Sequence, residues 1–363
     1  MAANKTDPFT RTPGIAGKAY IDNGIAATII HNFCSDDSSK YVYKITGLRG
    51  SGKSVEYGRV IRTLKNEKNW LVYPLSASGD TISTLIAKMS MEPFIESKRV
   101  TTSTGSTTTV GGNALFVSGN ETVNVQKTVT DNERLYSNEA ILTQMVSIAN
   151  EKGYKVLIGI DDIAKTGDTT KLLSIIGSML LEGLNIYLVV TGLSENIEDF
   201  SSEKNLSFFK RADSKKIKTL NKYDITYMYE KLLGVDTTEA RRIEELSKDY
   251  AYAYQVLGSL YYEKKPGEKL EDIIPDFERI IFRDSYELIW KSLTVGEKEV
   301  IKCILKTPNG KADEIKALMK NPGNYPVYRN RLINKHIVNG DTRGYLSIDL
   351  PRFDKFIEVW GDE

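Results

Sequence analysis

Residues 44–54, KITGLRGSGKS, constrain this chain more than any other stretch. Gly47 is followed by four residues and then by Gly52-Lys53-Ser54, the spacing G-x-x-x-x-G-K-[ST]. Glycines at 47, 50 and 52 let the backbone turn tightly and point consecutive N–H groups inward at phosphate oxygens. A helix starting near Lys53 aims the positive end of its dipole at the same place. In such a loop Lys53 reaches the β- and γ-phosphates, and the Ser54 hydroxyl is placed to hold Mg²⁺. Gly47, Leu48, Arg49, Gly50, Ser51, Gly52, Lys53, Ser54 and Val55 are therefore the candidate nucleotide cradle. The flanks agree. Residues 41–46 (YVYKIT) are β-branched and aromatic, as in a buried strand. Tyr57, Val60, Ile61 and Leu64 then recur at helical spacing. The plain alternative, a Gly-rich turn matching by chance, does not explain strand, loop and helix in that order.

A second motif complements the first. Residues 156–160 (VLIGI) read as an apolar strand ending in Asp161-Asp162. A buried parallel strand that delivers acidic groups at its carboxyl end is what a phosphate-loop fold needs. Asp161 would bind Mg²⁺, directly or through water, and Asp162 would orient or activate the attacking water. The alternative is an ordinary strand with an acidic exit turn. Residues 186–190 (IYLVV) form another buried strand, ending at Thr191-Gly192. The Thr191 hydroxyl could sense the γ-phosphate there; strand-end turn chemistry is the other reading. Arg211, within SFFKRA, could supply charge to the transition state, or sit on a solvated helix face. Lys210 is the weaker candidate because an ammonium lacks the planar fork. The catalytic candidates are thus Asp162, Lys53, Thr191 and Arg211, and the metal candidates Ser54 and Asp161.

Composition excludes other chemistries. Two cysteines and two histidines, far apart in the chain, leave no zinc cluster, disulfide framework or Ser-His-Asp triad to read. His31 reads as a helix-end residue. A net charge of +1 gives no global pull toward nucleic acid or membrane. With no apolar signal core and no apolar run long enough to span a bilayer, a reducing cytoplasm fits best.

The rest of the chain supplies context. Residues 7–18 read as an extended arm with turns, and 19–32 as a helix. A strand over 70–75 precedes a helix over 80–91, N-capped by Asp80. Residues 97–130 are dominated by Ser, Thr, Gly and Val. They look like an insertion, with a β-hairpin built from 114–117 and 123–129. Helical patterns over 134–152 and 172–181 and a last short strand over 215–220 complete the core. Residues 223–262 read as several helices, among them a lid-like segment at 247–262, and 264–268 is a linker candidate. From about residue 285 come three helices (297–305, 311–319 and 325–335), then a strand, a Gly-containing turn and a strand. That pattern suggests a winged helix-turn-helix. Arg329, Arg331 and Lys335 on its third helix and Arg343 at the wing tip suit phosphate contacts with double-stranded DNA. Nearby acids such as Asp341 and Asp349 leave protein docking equally open.

Taken together, DPFTRTPGIAGK, ITGLRGSGKS, VLIGIDDI, LVVTGL, FFKRA, DYAYAYQVLG and the terminal winged helix resemble the prokaryotic P-loop ATPases of the AAA+ and STAND class, including the archaeal-type and origin-recognition-like members. The resemblance covers nearly the whole length except the insertion. It implies an α/β fold: a parallel P-loop NTPase sheet with a helical lid and a C-terminal winged helix. The expected divisions are a core over 1–220, a lid over 221–284 and a winged helix over 285–363. It implies ATP and Mg²⁺ as ligands, with Lys53, Ser54, Asp161, Asp162 and Thr191 matching the nucleotide motifs. Arg211 is similar to the arginine that follows the sensor strand and acts within one subunit or across an interface. The segment with Gly17 and Lys18 would lie near the adenine, though Arg usually stands at the Lys18 position. Two departures point to slow hydrolysis. Asp162 stands where many relatives have Glu, and the lid has no arginine near 253–258. The task is then either an ATP-dependent, DNA-associated switch or a STAND-like signalling or scaffold protein. In the second case the winged helix holds the core shut until a protein partner arrives.

Overall fold

A computed structural model of the chain describes residues 6–35, 38–95, 99–101, 107–109 and 137–361. After the N-terminal arm, helix α1 (Ile25–Cys34) precedes strand β1 (Val42–Thr46), which leads through the glycine loop into α2 (Lys53–Lys65). The first helix starts at Ile25, not at 19. Gly24 is left-handed (φ 75°), which breaks the helix there, and the Asn23 side chain accepts the Ile25 N–H at 3.1 Å. Next come β2 (Trp70–Ser76) and α3 (Thr81–Met89), with Asp80 accepting the Ser83 N–H at 2.9 Å as N-cap. Strands β3 (Arg99–Thr101) and β4 (Thr107–Thr109) pair antiparallel. The hairpin expected from 114–117 and 123–129 lies outside the described residues. The core continues with α4 (Asn138–Glu151), β5 (Lys155–Asp161), α5 (Gly167–Leu181), β6 (Ile186–Gly192), α6 (Ser194–Ser201), α7 (Ser207–Arg211) and β7 (Asp213–Lys216).

Five strands form one parallel sheet in the order β2-β5-β6-β1-β7. Strands β1 and β6 are buried throughout, because helices cover both faces. On one face Leu85, Leu142, Ile160 and Leu173 join an apolar cluster; on the other Ile29, Phe33, Val60 and Leu157 do so. The last strand falls at 213–216, not 215–220. It is an edge strand, alternately half-buried and exposed, and its polar sequence DSKK hides it from a search for apolar runs. Register then sets the site. Ile45 lies beside Thr191, and Ile160 beside Val190, so the glycine loop, Asp161 and Thr191 meet at the carboxyl edge of the sheet.

Helices α8 (Lys222–Leu233), α9 (Thr237–Ser247), α10 (Ala251–Glu263) and α11 (Leu270–Ile281) follow, then a π-helical turn at Phe282–Tyr286 and α12 (Glu287–Lys291). Pro275 inside α11 disguises that helix in the sequence. Beyond it come α13 (Val295–Lys306), α14 (Ala312–Leu318), α15 (Tyr325–Asn334), the antiparallel pair β8 (Val338–Asn339) and β9 (Ser347–Ile348), and α16 (Phe353–Trp360). The chain is helical across residue 285. One apolar cluster runs from Phe277 through Tyr286 and Trp290 to Ile301, Phe353 and Phe356, so the helices after β7 and the C-terminal part share a core. Among the described residues, no helix is long and apolar enough to cross a membrane.

Candidate nucleotide-binding site

The loop after β1 turns on two left-handed glycines, Gly50 (φ 75°) and Gly52 (φ 102°), and delivers the N-terminus of α2 to a cavity of about 600 Å³. The arm supplies one wall through Thr10 and Arg11, and α10 another through Tyr252 and Gln255. Arg49, Gly50, Ser51, Gly52, Lys53, Ser54 and Val55 all line it, as do Asp161, Asp162 and Thr191. Gly47 and Leu48 do not. Their carbonyls instead accept from the Lys53 ammonium at 3.0 and 3.1 Å.

Four polar groups are joined at the strand ends. Asp161 Oδ1 accepts from the Ser54 hydroxyl at 3.1 Å and from the Thr191 hydroxyl. The Thr191 oxygen also accepts the Asp162 N–H at 2.8 Å. Asp162 is left-handed (φ 52°), and this backbone bond helps hold it in that sparsely populated region. Burial lowers the Lys53 pKa to about 8, against the opposing pull of Asp162 and Asp161. Burial and the Asp161 charge raise that of Tyr57. Ser54 and Asp161 place two hard oxygens side by side, a donor pair that fits Mg²⁺.

Other expected residues stand apart. Arg211 is exposed at the end of α7 and does not line the cavity. The buried Lys44 ammonium donates to the carbonyls of Phe209 (2.8 Å) and Lys210 (3.3 Å), tying that short helix to β1. Gly17 lines the cavity, whereas Lys18 is exposed and does not.

Sequence reasoning missed how the arm is fastened. Thr10 N–H donates to Gln255 Oε1 at 2.9 Å, Tyr254 hydroxyl to the Ala19 carbonyl at 2.9 Å, and Ser259 hydroxyl to Asp7 at 2.6 Å. Phe9 packs so closely on Gly258 that a Cβ there would overlap its ring. The buried Glu56 accepts from Tyr20 hydroxyl and, at 2.9 Å, from Ala26 N–H, binding the arm and α1 to α2. A charged residue next to Tyr57 in an apolar helical stripe was the available signal.

The C-terminal part also reaches this edge. The Lys335 ammonium lies 3.2 Å from Glu195 on α6 and 3.2 Å from Glu297 on α13. His336 Nε2 is 3.3 Å from the Ser194 hydroxyl, two residues after β6. Burial and the positive charges of Lys216 and Lys53 lower the His336 pKa to about 4. In this arrangement two carboxylates hold Lys335, the third-helix residue expected to suit a DNA phosphate. Arg329 donates to the Gly340 carbonyl at 3.3 Å, while Arg331 and Arg343 are exposed.

No protein-family model matches the sequence, and no curated protein matches it. Solved structures do. The ORC2 protein of Aeropyrum pernix, in ADPNP–ADP complexes, aligns over 99% of this chain and 95% of its own at 12% identity, with a TM-score of 0.58. The Aeropyrum pernix ORC1 protein in complex with DNA aligns over 94% and 93% at 13% identity, with a TM-score of 0.45. A STAND protein with a tetratricopeptide repeat sensor from Pyrococcus horikoshii aligns over 98% of this chain and 44% of its own, at 14% identity and a TM-score of 0.38. At such identities likeness establishes fold alone. The α/β fold is shared with that ORC2 protein across nearly the whole chain.

Proposed function

We propose that this chain is a Mg-ATP-dependent switch with slow ATPase activity. The observation that carries this is the Ser54–Asp161–Thr191–Asp162 hydrogen-bonded group facing the glycine loop in one cavity. ATP would lie between arm and lid, with its phosphates against the loop N–H groups and Lys53. Lys53 would exchange the carbonyls of Gly47 and Leu48 for phosphate oxygens. Ser54 and Asp161 would hold Mg²⁺, which when bound neutralises phosphate charge. Asp162 would orient the attacking water, and Thr191 would keep both acids aligned. Arg211, exposed, is available to another subunit rather than to this cavity.

The three-helix and hairpin unit after residue 292 is read as a winged helix, docked beside the phosphate end. Lys335–Glu195 and His336–Ser194 favour a switch in which nucleotide state controls that docking, as in the STAND-like alternative. The exposed Arg331 and Arg343 favour a second reading, binding of duplex DNA. Salt-dependent affinity for duplex DNA, lost in an Arg331→Ala/Arg343→Ala double variant, supports that second reading; its absence removes it.

The test of the switch ATPase is turnover by Asp162→Asn. The variant is expected to keep ATP affinity and lose hydrolysis. Equal turnover in both proteins would remove Asp162 from its role.

A further inference from the structure

Against the glycine loop, at the edge of the cavity, stands Tyr250. It is buried and is not part of the cavity wall, although its neighbours Ala251 and Tyr252 and its hydrogen-bond partner Ser285 are. Its hydroxyl donates to the Arg49 carbonyl at 2.7 Å. A phenolic hydroxyl has one proton, so the Ser285 hydroxyl, 2.8 Å away, must be the donor in their contact. The loop is fitted to this ring: a Cβ on Gly50 would strike the Tyr250 hydroxyl. Glycine is thus required at 50 twice over, by its left-handed φ of 75° and by the approach of Tyr250.

The consequence concerns the Arg49–Gly50 peptide. No peptide bond among the described residues is cis. In a planar trans peptide the carbonyl and the N–H point in opposite directions. With the Arg49 carbonyl committed to the Tyr250 hydroxyl, that oxygen is kept from facing a ligand, and the Gly50 N–H, which points the opposite way, is left open at a residue that lines the cavity. Glycine peptides flip easily, because both signs of φ are open to them. Without an anchor this plane could present its carbonyl to a phosphate instead, and a carbonyl repels one.

We infer that Tyr250 is a positioning residue for nucleotide phosphate: it holds the Arg49–Gly50 peptide with its N–H facing the ligand. Ser285, in the π-helical turn at Phe282–Tyr286, steadies the same hydroxyl. The inference rests on the nucleotide-binding reading proposed above. It adds that affinity for the phosphate chain depends on a tyrosine that does not itself line the cavity.

The experiment compares the full chain with Tyr250→Phe, Ser285→Ala and Lys53→Ala. Three quantities are measured: Mg-ATP affinity by calorimetry, kcat and KM for hydrolysis, and the unliganded melting midpoint. Tyr250→Phe should raise Kd and KM about tenfold while kcat stays within about twofold, since uniform binding is lost and the chemistry is not. Ser285→Ala should move Kd and KM in the same direction by less. A lower melting midpoint with unchanged Kd would make Tyr250 a packing residue and overturn the inference. So would a fall in kcat at unchanged KM. Should Tyr250→Phe fail to fold, Ser285→Ala carries the test, and an unchanged Kd in that variant overturns it. If the wild type binds Mg-ATP no better than Lys53→Ala, the nucleotide reading itself fails and this inference falls with it.

Discussion

The hydroxyl of Thr191 lies 2.8 Å from the backbone nitrogen of Asp162 and accepts its N–H, while donating its own proton to Asp161. One fully buried side chain at the end of β6 thereby sets both acids at the end of β5. Thr191→Val keeps the shape and removes both bonds. It should lower stability by about 1–3 kcal/mol, the usual range for leaving buried polar groups unpaired. ATP turnover should fall at least about tenfold as Asp162 loses its orientation. Denaturant unfolding and steady-state hydrolysis check the two effects separately, and unchanged turnover would assign Thr191 to stability alone.

ATP affinity should depend on pH through Lys53. In the free protein burial brings its pKa down to about 8. Phosphate binds the ammonium, so affinity should be flat below pH 8 and decline as pH rises through it, by about tenfold at pH 9. Calorimetry in buffers of different ionisation enthalpy should also show proton uptake near pH 8. The sign for folding is consistent: between pH 8 and the ordinary lysine range the folded state binds fewer protons, so this group makes stability rise with pH there. A pH-independent Kd between 7 and 9 would contradict the assignment.

Acid should loosen the docked C-terminal part through His336. Its pKa is depressed to about 4, so below the ordinary histidine range an undocked, solvated His336 binds a proton that the docked one does not. Docking is at full strength above about pH 6.5 and weakens toward pH 4, on the order of tenfold in its equilibrium constant at pH 5. His336→Gln should flatten that dependence, and Lys335→Ala should weaken docking at every pH. Distance measurement between spin labels on α5 and α13 reads the outcome. Identical distances at pH 7 and pH 5 would refute it.

Gly258→Ala should detach the arm. The new methyl would overlap the ring of Phe9, which is 5% exposed and anchors the arm. Overpacking of this kind costs about 1–3 kcal/mol. Because Thr10 and Arg11 form a cavity wall, KM for ATP should rise as the melting midpoint falls. A drop in stability with KM unchanged would show that the arm does not contribute to the site.

Much of the core was legible because parallel strands buried on both faces are runs of apolar residues, and three of those runs here, β1, β5 and β6, end in a chemical signature. The loop from Gly47 to Ser54, the Asp161-Asp162 exit and Thr191 are local patterns, and register brings together what the chain keeps more than a hundred residues apart. What stayed hidden is tertiary. Edge strand β7 is polar because one side faces solvent, and α11 carries a proline that reads as a breaker. The arm is fixed by Gln255, Tyr254 and Gly258, whose partners lie about 240 residues away. The charge of Lys335 is visible in sequence; its two carboxylate partners are not.

The central claim is that Mg-ATP binds in the cavity between arm, glycine loop and lid. The most direct measurement is a calorimetric titration of Mg-ATP into the wild-type chain and into Lys53→Ala at pH 7. One-site saturable binding by the wild type, weakened at least about a hundredfold in the variant, is the predicted result. Equal affinity in the two proteins, or no binding to either, would contradict the account.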